Sequence, residues 1–374
     1  MGFQETENPS LATFLISKHS SEPKLKEFCS DSQVFNHVKS SRSLTNPVSL
    51  SRAILKNGVA LKFHPETIVY GGFSSSVSYS SKKSACATFM SKSQDFLKTV
   101  STGKSNMMIA AYVEKHDRVV AKLPLSGLKK IVDTYKRSGT CPHSDDTVVV
   151  QAYKNLLLLE EGRTLCSIRT FLYIPSTKPI MVFLFTRSIV VRCSSVERET
   201  VDLLLASGGN DTDTSQVKYL SLLEFRNHLL RENRFPNQRT ASVAFQELIH
   251  KLKRAIGGAV SAAKPKIEAI TGRFGLLSAD FVLDAYSLQP ILAKITDAPE
   301  ISSLARQFPN VGQSIITEII RSQQVVLSRA WFNVKDTLRP EDLRGLNDFE
   351  LCGYEDPLRF ETAETTAFQI FPFV

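Results

Sequence analysis

A long run of short, β-prone segments separated by turn residues does most to limit how this chain can fold. The run extends from residue 59 to about residue 193 and has few regular helices within it. Its segments are rich in β-branched and aromatic residues, which favour strands. Because parallel strands need crossover connections, usually helices, this pattern predicts antiparallel sheets. The predicted strands are 59–63, 67–70, 76–79, 85–90, 107–113, 118–123, 147–153, 165–174 and 180–192.

Helical patterns flank and interrupt this run. Residues 48–57 predict a short helix that Gly58 ends, and residues 128–135 predict a helix among the strands. After residue 215 the apolar residues recur at helical spacing, and Ser221 and Glu224 have the spacing of a capping box. Further helices are predicted at 240–256, 281–292 and 310–331. The fold class expected is therefore α+β, with an antiparallel β-sandwich or jelly-roll-like domain before a helical C-terminal subdomain.

Composition shifts divide the chain into predicted segments. The polar, glycine-rich stretch near Gly208 is a natural linker, and the last 39 residues are acidic. The predicted organisation is a flexible N-terminal segment 1–47, a β-rich core domain 48–207, a linker 208–215, a helical basic subdomain 216–335 and an acidic tail 336–374.

The charge is distributed unevenly. The chain carries a net +9, and residues 336–374 contribute −6, which leaves +15 on residues 1–335. A body this basic favours polyanions, with nucleic acid first and an anionic membrane surface second. A hydrophobic fraction of 42% with a charged fraction of 22% also excludes global disorder.

Two basic clusters are the candidate binding residues. Lysine and arginine side chains that neutralise phosphates give affinity that depends on salt and tolerates any sequence. The glycine pair at Gly257 and the proline at Pro265 predict a mobile basic arm after the helix of the first cluster. The first cluster is Arg239, Lys251, Lys253, Arg254, Lys264, Lys266 and Arg273, and the second is Lys122, Lys129 and Lys130.

The search for catalytic motifs is negative. Thr102-Gly103-Lys104-Ser105 resembles the end of a phosphate-binding loop, but Lys98 stands where that motif needs its first glycine. Cys141 and His143 lack the clustered ligand pairs of a zinc site. The sequence thus predicts a protein that is not an enzyme, with no cofactor and no metal.

The cysteines and apolar stretches indicate an intracellular chain. Six cysteines are scattered without a C-x-x-C pair, which predicts buried free thiols in a reducing compartment. No apolar stretch reaches the length of about 20 residues that a transmembrane helix needs.

One local motif suggests a family. Leu123-Pro124-Leu125 follows the predicted strand 118–123 and precedes a basic stretch, 126–137. In this respect residues 55–210 resemble the thirty-kilodalton-like superfamily of plant-virus cell-to-cell movement proteins. The resemblance implies a jelly-roll-like domain, cooperative binding of single-stranded RNA and self-association. It also implies location in the host cytoplasm, at the cell periphery and the plasmodesmata.

Two other functions remain open from the residues alone. The first is a viral nucleocapsid or non-structural RNA-binding protein. The second is an intracellular scaffold or adaptor that binds acidic protein partners. Charge patterning does not distinguish these from a movement protein, since each needs a basic surface.

Overall fold

The computed structural model describes most of the chain between residues 33 and 355. The described residues are 14–15, 33–58, 60–71, 78–102, 107–115, 118–123, 125–141, 147–160, 162–195, 218–270, 272–297, 299, 301–331, 338–343, 349–355 and 360–362. Within these parts of the chain, none of the helices combines the length and the apolar character that crossing a bilayer requires.

Helices and strands are interspersed along the described residues. The helices are α1 Arg42–Thr45, α2 Pro47–Asn57, α3 Tyr79–Ser101, α4 Leu125–Ser138, α5 Leu222–Arg231, α6 Gln238–Ala263, α7 Ile301–Gln307 and α8 Pro309–Trp331. The strands are β1 Phe14–Leu15, β2 Val34–Phe35, β3 Glu66–Tyr70, β4 Met108–Lys115, β5 Arg118–Leu123, β6 Thr147–Tyr153, β7 Leu158–Leu159, β8 Thr164–Ile174, β9 Met181–Phe185, β10 Val190–Ser195, β11 Lys218–Ser221, β12 Gly275–Leu283, β13 Pro290–Thr296, β14 Phe349–Glu355 and β15 Phe360–Thr362.

A large antiparallel sheet is built around β8. This long strand pairs with β10 and β9 along one edge and with β12 along the other, and β13 pairs in turn with β12. Strand β8 is almost wholly buried, which explains why its sequence is apolar on both faces. The end of β12, the turn after it and the start of β13 lie where the sequence predicts the helix 281–292, and that prediction is wrong. The apolar residues of this segment are compatible both with the spacing of a helix and with a buried strand. Pairing of β12 with the buried strand β8 decides in favour of β structure.

Helices cover both faces of the large sheet. On one face α6 places Leu252 and Ile256 in a core with Ile168 and Phe281. On the other face α8 contributes Ile315 and Leu327 to a core with aromatic residues of β8 and β9. The prediction of a mixed fold with antiparallel sheets is confirmed. The jelly-roll-like arrangement is not confirmed, because helices rather than a second sheet cover these faces.

A smaller antiparallel sheet has the strand order β3-β6-β4-β5. Helices α3 and α4 cover one face, where Phe89 and Leu128 pack against Val150. Helix α3 takes the place of the strand predicted at 85–90 and includes the last residue of the strand predicted at 76–79, of which residues 76 and 77 lie outside the described residues. Ser78 caps the start of α3 by accepting a hydrogen bond from the Ser81 N–H at 3.3 Å, so a local cap overrides the weak strand signal.

Helix α2 packs between the two sheets. Val48 of α2 lies in one apolar cluster with Tyr112 and Val149 of the small sheet and with Val282 and Ala293 of the large sheet. The helix begins at Asn46, whose side chain accepts hydrogen bonds from two N–H groups of the first turn, and ends at Gly58 with a positive φ of 68°. The end of this helix at Gly58 therefore matches its sequence signal, and the cap at Asn46 satisfies N–H groups at its start.

Two disulfide bonds contradict the prediction of free thiols. Cys86 is bonded to Cys141, and Cys166 is bonded to Cys193. Cys166 and Cys193 lie directly opposite each other on β8 and β10, which brings them together although 27 residues separate them in sequence. Cys352 keeps a free, buried thiol, and burial raises its pKa.

Candidate anion-binding site

A buried ion pair lies near the middle of the large sheet. Arg169 of β8 is directly opposite Asp280 of β12. Its Nε donates to Oδ1 of Asp280 at 2.7 Å and its Nη2 donates to Oδ2 at 2.8 Å. The two side chains are only 11% and 2% exposed, so this bidentate geometry is needed to offset the loss of hydration.

A lysine extends the ion pair to the next strand. Lys294 of β13 is the strand partner of Asp280, and the register shifts beside this pair, as in a β-bulge. Ile295, the next residue, packs into the core on the α6 face of the sheet. Successive residues of a strand point to opposite faces, so Lys294 belongs to the opposite face, together with Arg169 and Asp280.

A second arginine on the same face lacks hydrogen-bond acceptors. Arg192 of β10 is directly opposite Ser167 of β8, and Ser167 is two residues from Arg169 and so shares its face. The Nε and Nη1 atoms of Arg192 and the Oγ atom of Ser167 are buried without a hydrogen-bond partner. The Arg192 guanidinium lies 5.8 Å from the ring centre of Tyr219. A buried guanidinium with unused donors costs several kcal/mol by the usual order of magnitude.

Basic side chains outnumber acidic ones on the strands of this group. Arg169, Arg192 and Lys294 are cationic, whereas Asp280 supplies one negative charge. On helix α8, which covers part of this face, the buried Glu318 accepts a hydrogen bond from Arg321 through Oε1 at 2.9 Å, whereas its Oε2 is buried without a hydrogen-bond partner. Oriented donors around an excess of positive charge are the chemistry that recognises phosphate or carboxylate groups. We therefore identify these residues as a candidate anion-binding site.

A divalent cation does not fit the same residues. In the parts of the chain that the structure describes, no three His, Cys, Asp or Glu side chains come together as a metal-binding group. Both oxygens of Asp280 already accept hydrogen bonds from Arg169. Magnesium ions at nucleotide sites are usually held by one or two carboxylates with oxygens available to the ion, which this donor set does not offer.

A small cavity lies between α2 and β13. It has a volume of about 20 Å³, room for about one water molecule, and its lining includes Ser51, His64, Gln151 and Ala293. His64 Nε2 is 3.2 Å from the Ser51 hydroxyl, and Gln151 donates to that hydroxyl at 3.0 Å. Burial lowers the pKa of His64 to about 4, so this ring is neutral near pH 7. The cavity lies beside α2, which packs between the two sheets, and its lining also includes Lys294.

The first basic cluster predicted from sequence is dispersed by the fold. Lys253 is buried and donates to Glu350 at 3.0 Å, and Lys251 pairs with Glu247 at 3.0 Å. The Arg273 guanidinium stacks 4.4 Å from the ring centre of Phe35. Arg239, Arg254 and Lys266 are exposed, and Lys264 is half-buried. The predicted mobile arm is wrong, because α6 continues through buried Gly257 and Gly258 to Ala263.

The second cluster lies around α4. Lys129 and Lys130 are exposed on this helix, and Lys122 lies in β5. Leu123 ends β5 and the exposed Leu125 begins α4, whereas Pro124 lies outside the described residues. The fold thus places none of these residues with Arg169 or Arg192, which belong to the other sheet.

Sequence reasoning missed the residues that the fold brings together. Their signal was a charged side chain inside an apolar strand, as at Arg169 in β8 and Asp280 in β12. Such charges are rare in cores and need a partner. The partner could not be recognised, because residues 281–292 predicted a helix and hid the pairing of β12 with β8.

Comparison with known proteins gives a family for most of this region. A family model described as "TTL: Tubulin-tyrosine ligase family" matches residues 79–330, about two thirds of the chain. The matched segment runs from the start of α3 to the end of α8 and includes every residue of the anion-binding group. No curated protein matches the chain.

This match overturns the resemblance to plant-virus movement proteins, which rested on three residues. Members of the matching family are ATP-dependent ligases, so the prediction of a protein that is not an enzyme is wrong, as is that of single-stranded RNA as its partner. The match supports neither a nucleocapsid nor a scaffold. The error has a physical source, because an excess of positive charge attracts any anion and does not distinguish RNA from smaller phosphates.

Proposed function

Because the chain belongs to the tubulin-tyrosine ligase family, we propose that it is an ATP-dependent ligase that joins an amino acid to a protein acceptor. Tyrosine and tubulin are the candidate substrates, since the family is described by them. The fold proposed for this activity is ATP-grasp-like, with the small and the large antiparallel sheets as its two parts.

The buried, unsatisfied Arg192 is the observation that carries this proposal. Its Nε and Nη1 donors lack acceptors, and Ser167 beside it has an unused hydroxyl. A phosphate group would supply several acceptor oxygens and the negative charge that the group of residues lacks. The residues present therefore fit the phosphates of ATP.

The proposed roles follow from the positions of the side chains. Arg192 and Ser167 donate to a phosphate oxygen, and Arg169 and Lys294 add positive charge beside it. When bound, ATP supplies the phosphoryl group that activates a carboxylate for attack by an amine. Asp280 orients Arg169 through its two hydrogen bonds, which fixes the guanidinium before any substrate arrives.

The exposed basic residues are proposed to attract an acidic acceptor. Arg239, Arg254, Lys129 and Lys130 are exposed, and the chain carries a net +9. Such a surface raises the encounter rate with a negatively charged protein segment and loses this effect at high salt. The role assigned to these residues is therefore in acceptor binding and not in chemistry.

A ligation assay tests the proposal. The full chain is incubated with ATP, radiolabelled tyrosine and tubulin, and label in the protein fraction is measured with and without ATP. We expect ATP-dependent incorporation that Arg192→Met removes and Arg306→Met, an exposed arginine on α7, leaves in place. If neither tyrosine nor any other amino acid is incorporated, and ATP does not bind, the proposal is wrong.

A further inference from the structure

We infer that helix α2, Pro47–Asn57, is a gate on the nucleotide site. It occupies the space next to the anion-binding residues where the adenosine of ATP would lie, and it must move away before ATP binds. This inference rests on the proposed function, because it concerns access to the same site. It goes beyond that function by giving the site a built-in form of regulation, in which the closed position of the helix inhibits nucleotide binding.

An apolar surface continues from the anion-binding residues along the same face of the large sheet. Val282 of β12 is directly opposite Ser167 of β8, and Leu165 is two residues from Ser167 and so shares its face. Both apolar side chains are buried in one cluster with Val149 of the small sheet. Binding sites for small molecules are largely apolar, so the base of a nucleotide whose phosphates contact Ser167 fits best between the two sheets.

The other end of the same face is less suited to a nucleotide. There α8 covers the aromatic side chains of Phe171 and Tyr173, and it carries the buried Glu318. The Oε2 atom of Glu318 is buried without a hydrogen-bond partner. Because this carboxylate repels phosphate oxygens that approach it, we expect the nucleotide to extend from Arg192 and Ser167 toward α2.

Helix α2 fills the space between the sheets. Val48 of this helix is 0% exposed and lies in the same apolar cluster as Leu165 and Val282. The cavity that remains between α2 and β13 has a volume of about 20 Å³, whereas pockets for small-molecule ligands measure about 300–1,000 Å³. An adenosine group therefore cannot enter while α2 holds this position.

Polar contacts at both ends of α2 hold it in the closed position. The N-cap residue Asn46 donates from Nδ2 to Oε1 of the buried Glu114 on β4 at 2.7 Å, and Asn57 donates from Nδ2 to the carbonyl of Ala262 on α6 at 3.0 Å. Helix α2 also lies outside the residues that the family model matches, whereas the anion-binding group lies inside them. Movement of α2 therefore leaves the strand pairs of the site in place.

Loosening the helix should tighten the binding of ATP. Asn46→Ala removes the N-cap of α2 and its hydrogen bond to Glu114, so the open state becomes more populated. Because ATP binds only the open state, its dissociation constant should fall about threefold to tenfold. The control Asn237→Ala removes the equivalent N-cap from α6, about 35 Å along that helix from Ala262, and should change the constant by less than about twofold. Calorimetric titration of each full-length variant with ATP measures these values, and an unchanged or higher constant in folded Asn46→Ala would overturn the inference.

Hydrogen exchange of the wild-type protein tests the gate without any substitution. With saturating ATP the amides of residues 48–57 should lose protection, because the bound base keeps α2 away from the sheets. Sodium triphosphate has no base, so it should leave the protection of these amides unchanged. Unchanged protection of α2 in bound ATP, or loss of protection in triphosphate, overturns the inference and leaves the proposed function standing. If ATP binds neither the wild type nor Asn46→Ala, the proposed function is wrong and the inference with it.

Discussion

Two regions of the molecule carry positive charge in opposite ways. Along α6 the lysines have local partners, since Lys251 pairs with Glu247 and Lys253 with Glu350. On the α8 face of the large sheet, Arg192 is buried and two of its donor nitrogens have no acceptor. The first region contains more basic residues in sequence. The second region is the one that has hydrogen-bond donors available to a ligand.

The difference teaches where to look for a ligand. A charge that is solvated or paired within the fold is already satisfied, so its presence predicts little about function. A charge that the fold buries without compensation destabilises the free protein and is stabilised only by something that binds. Burial and pairing, which the sequence does not display, separate the two cases.

The largest effect on stability is expected from removing the carboxylate of Asp280, near the middle of the large sheet. Asp280→Ala leaves Arg169 buried without its counter-charge, so we expect the free energy of unfolding to fall by about 3–5 kcal/mol. Urea denaturation of the full chain measures this loss. The matched change on α6, Glu247→Ala, removes an exposed partner of Lys251 and should cost less than about 1 kcal/mol. Equal losses of unfolding free energy in the two variants would contradict the distinction between the buried and the exposed ion pair.

A smaller effect is expected from acid, through the buried His64. Its pKa is lowered to about 4 by burial, so the unfolded chain takes up a proton between about pH 6.5 and pH 4 while the folded chain does not. The free energy of unfolding should therefore fall by roughly 2–3 kcal/mol as the pH is lowered through this window. Urea denaturation at a series of pH values measures this slope, and His64→Gln should reduce it. A slope that His64→Gln leaves unchanged would assign the acid sensitivity to other groups.

Arg192→Met should separate binding from stability. We expect ATP affinity to fall at least about tenfold, which corresponds to about 1.4 kcal/mol, because the proposed hydrogen-bond donor to the phosphate is lost. The unfolding free energy of the protein without ligand should rise by about 1 kcal/mol, because an unsatisfied buried charge is removed. Calorimetry and urea denaturation give the two values. A variant that loses stability and keeps its ATP affinity would contradict the role assigned to Arg192.

The smallest effect is expected from the exposed basic residues. Combined substitution of Lys129, Lys130 and Arg254 by glutamate should leave ATP affinity unchanged. The KM for the protein acceptor should rise severalfold at low salt. Steady-state kinetics at two salt concentrations would show this. If ATP affinity falls instead, the surface charges and not the sheet centre hold the nucleotide.

Local signals predicted a good part of the fold. The stop at Gly58, the capping box at Ser221 and the apolar stripe of α6 act over a few residues, and those helices form as the sequence indicates. The prediction was wrong at β12, where a non-local partner decides between helix and strand. The candidate site depends on that partner, because Arg169 and Asp280 are 111 residues apart in sequence. No local pattern connects them, so the site emerges only with the sheet.

The disulfide between Cys166 and Cys193 has a consequence for the fidelity of strand alignment. The two cysteines are opposite each other and immediately adjacent to the pair formed by Ser167 and Arg192. A slip of one residue between β8 and β10 would turn Arg192 to the other face of the sheet, into the apolar core beneath α6. The covalent bond forbids that slip even when the neighbouring hydrogen bonds open transiently. The disulfide thus fixes the alignment of Arg169 and Arg192 across these two strands. This alignment is kept even when thermal fluctuations break hydrogen bonds between the strands.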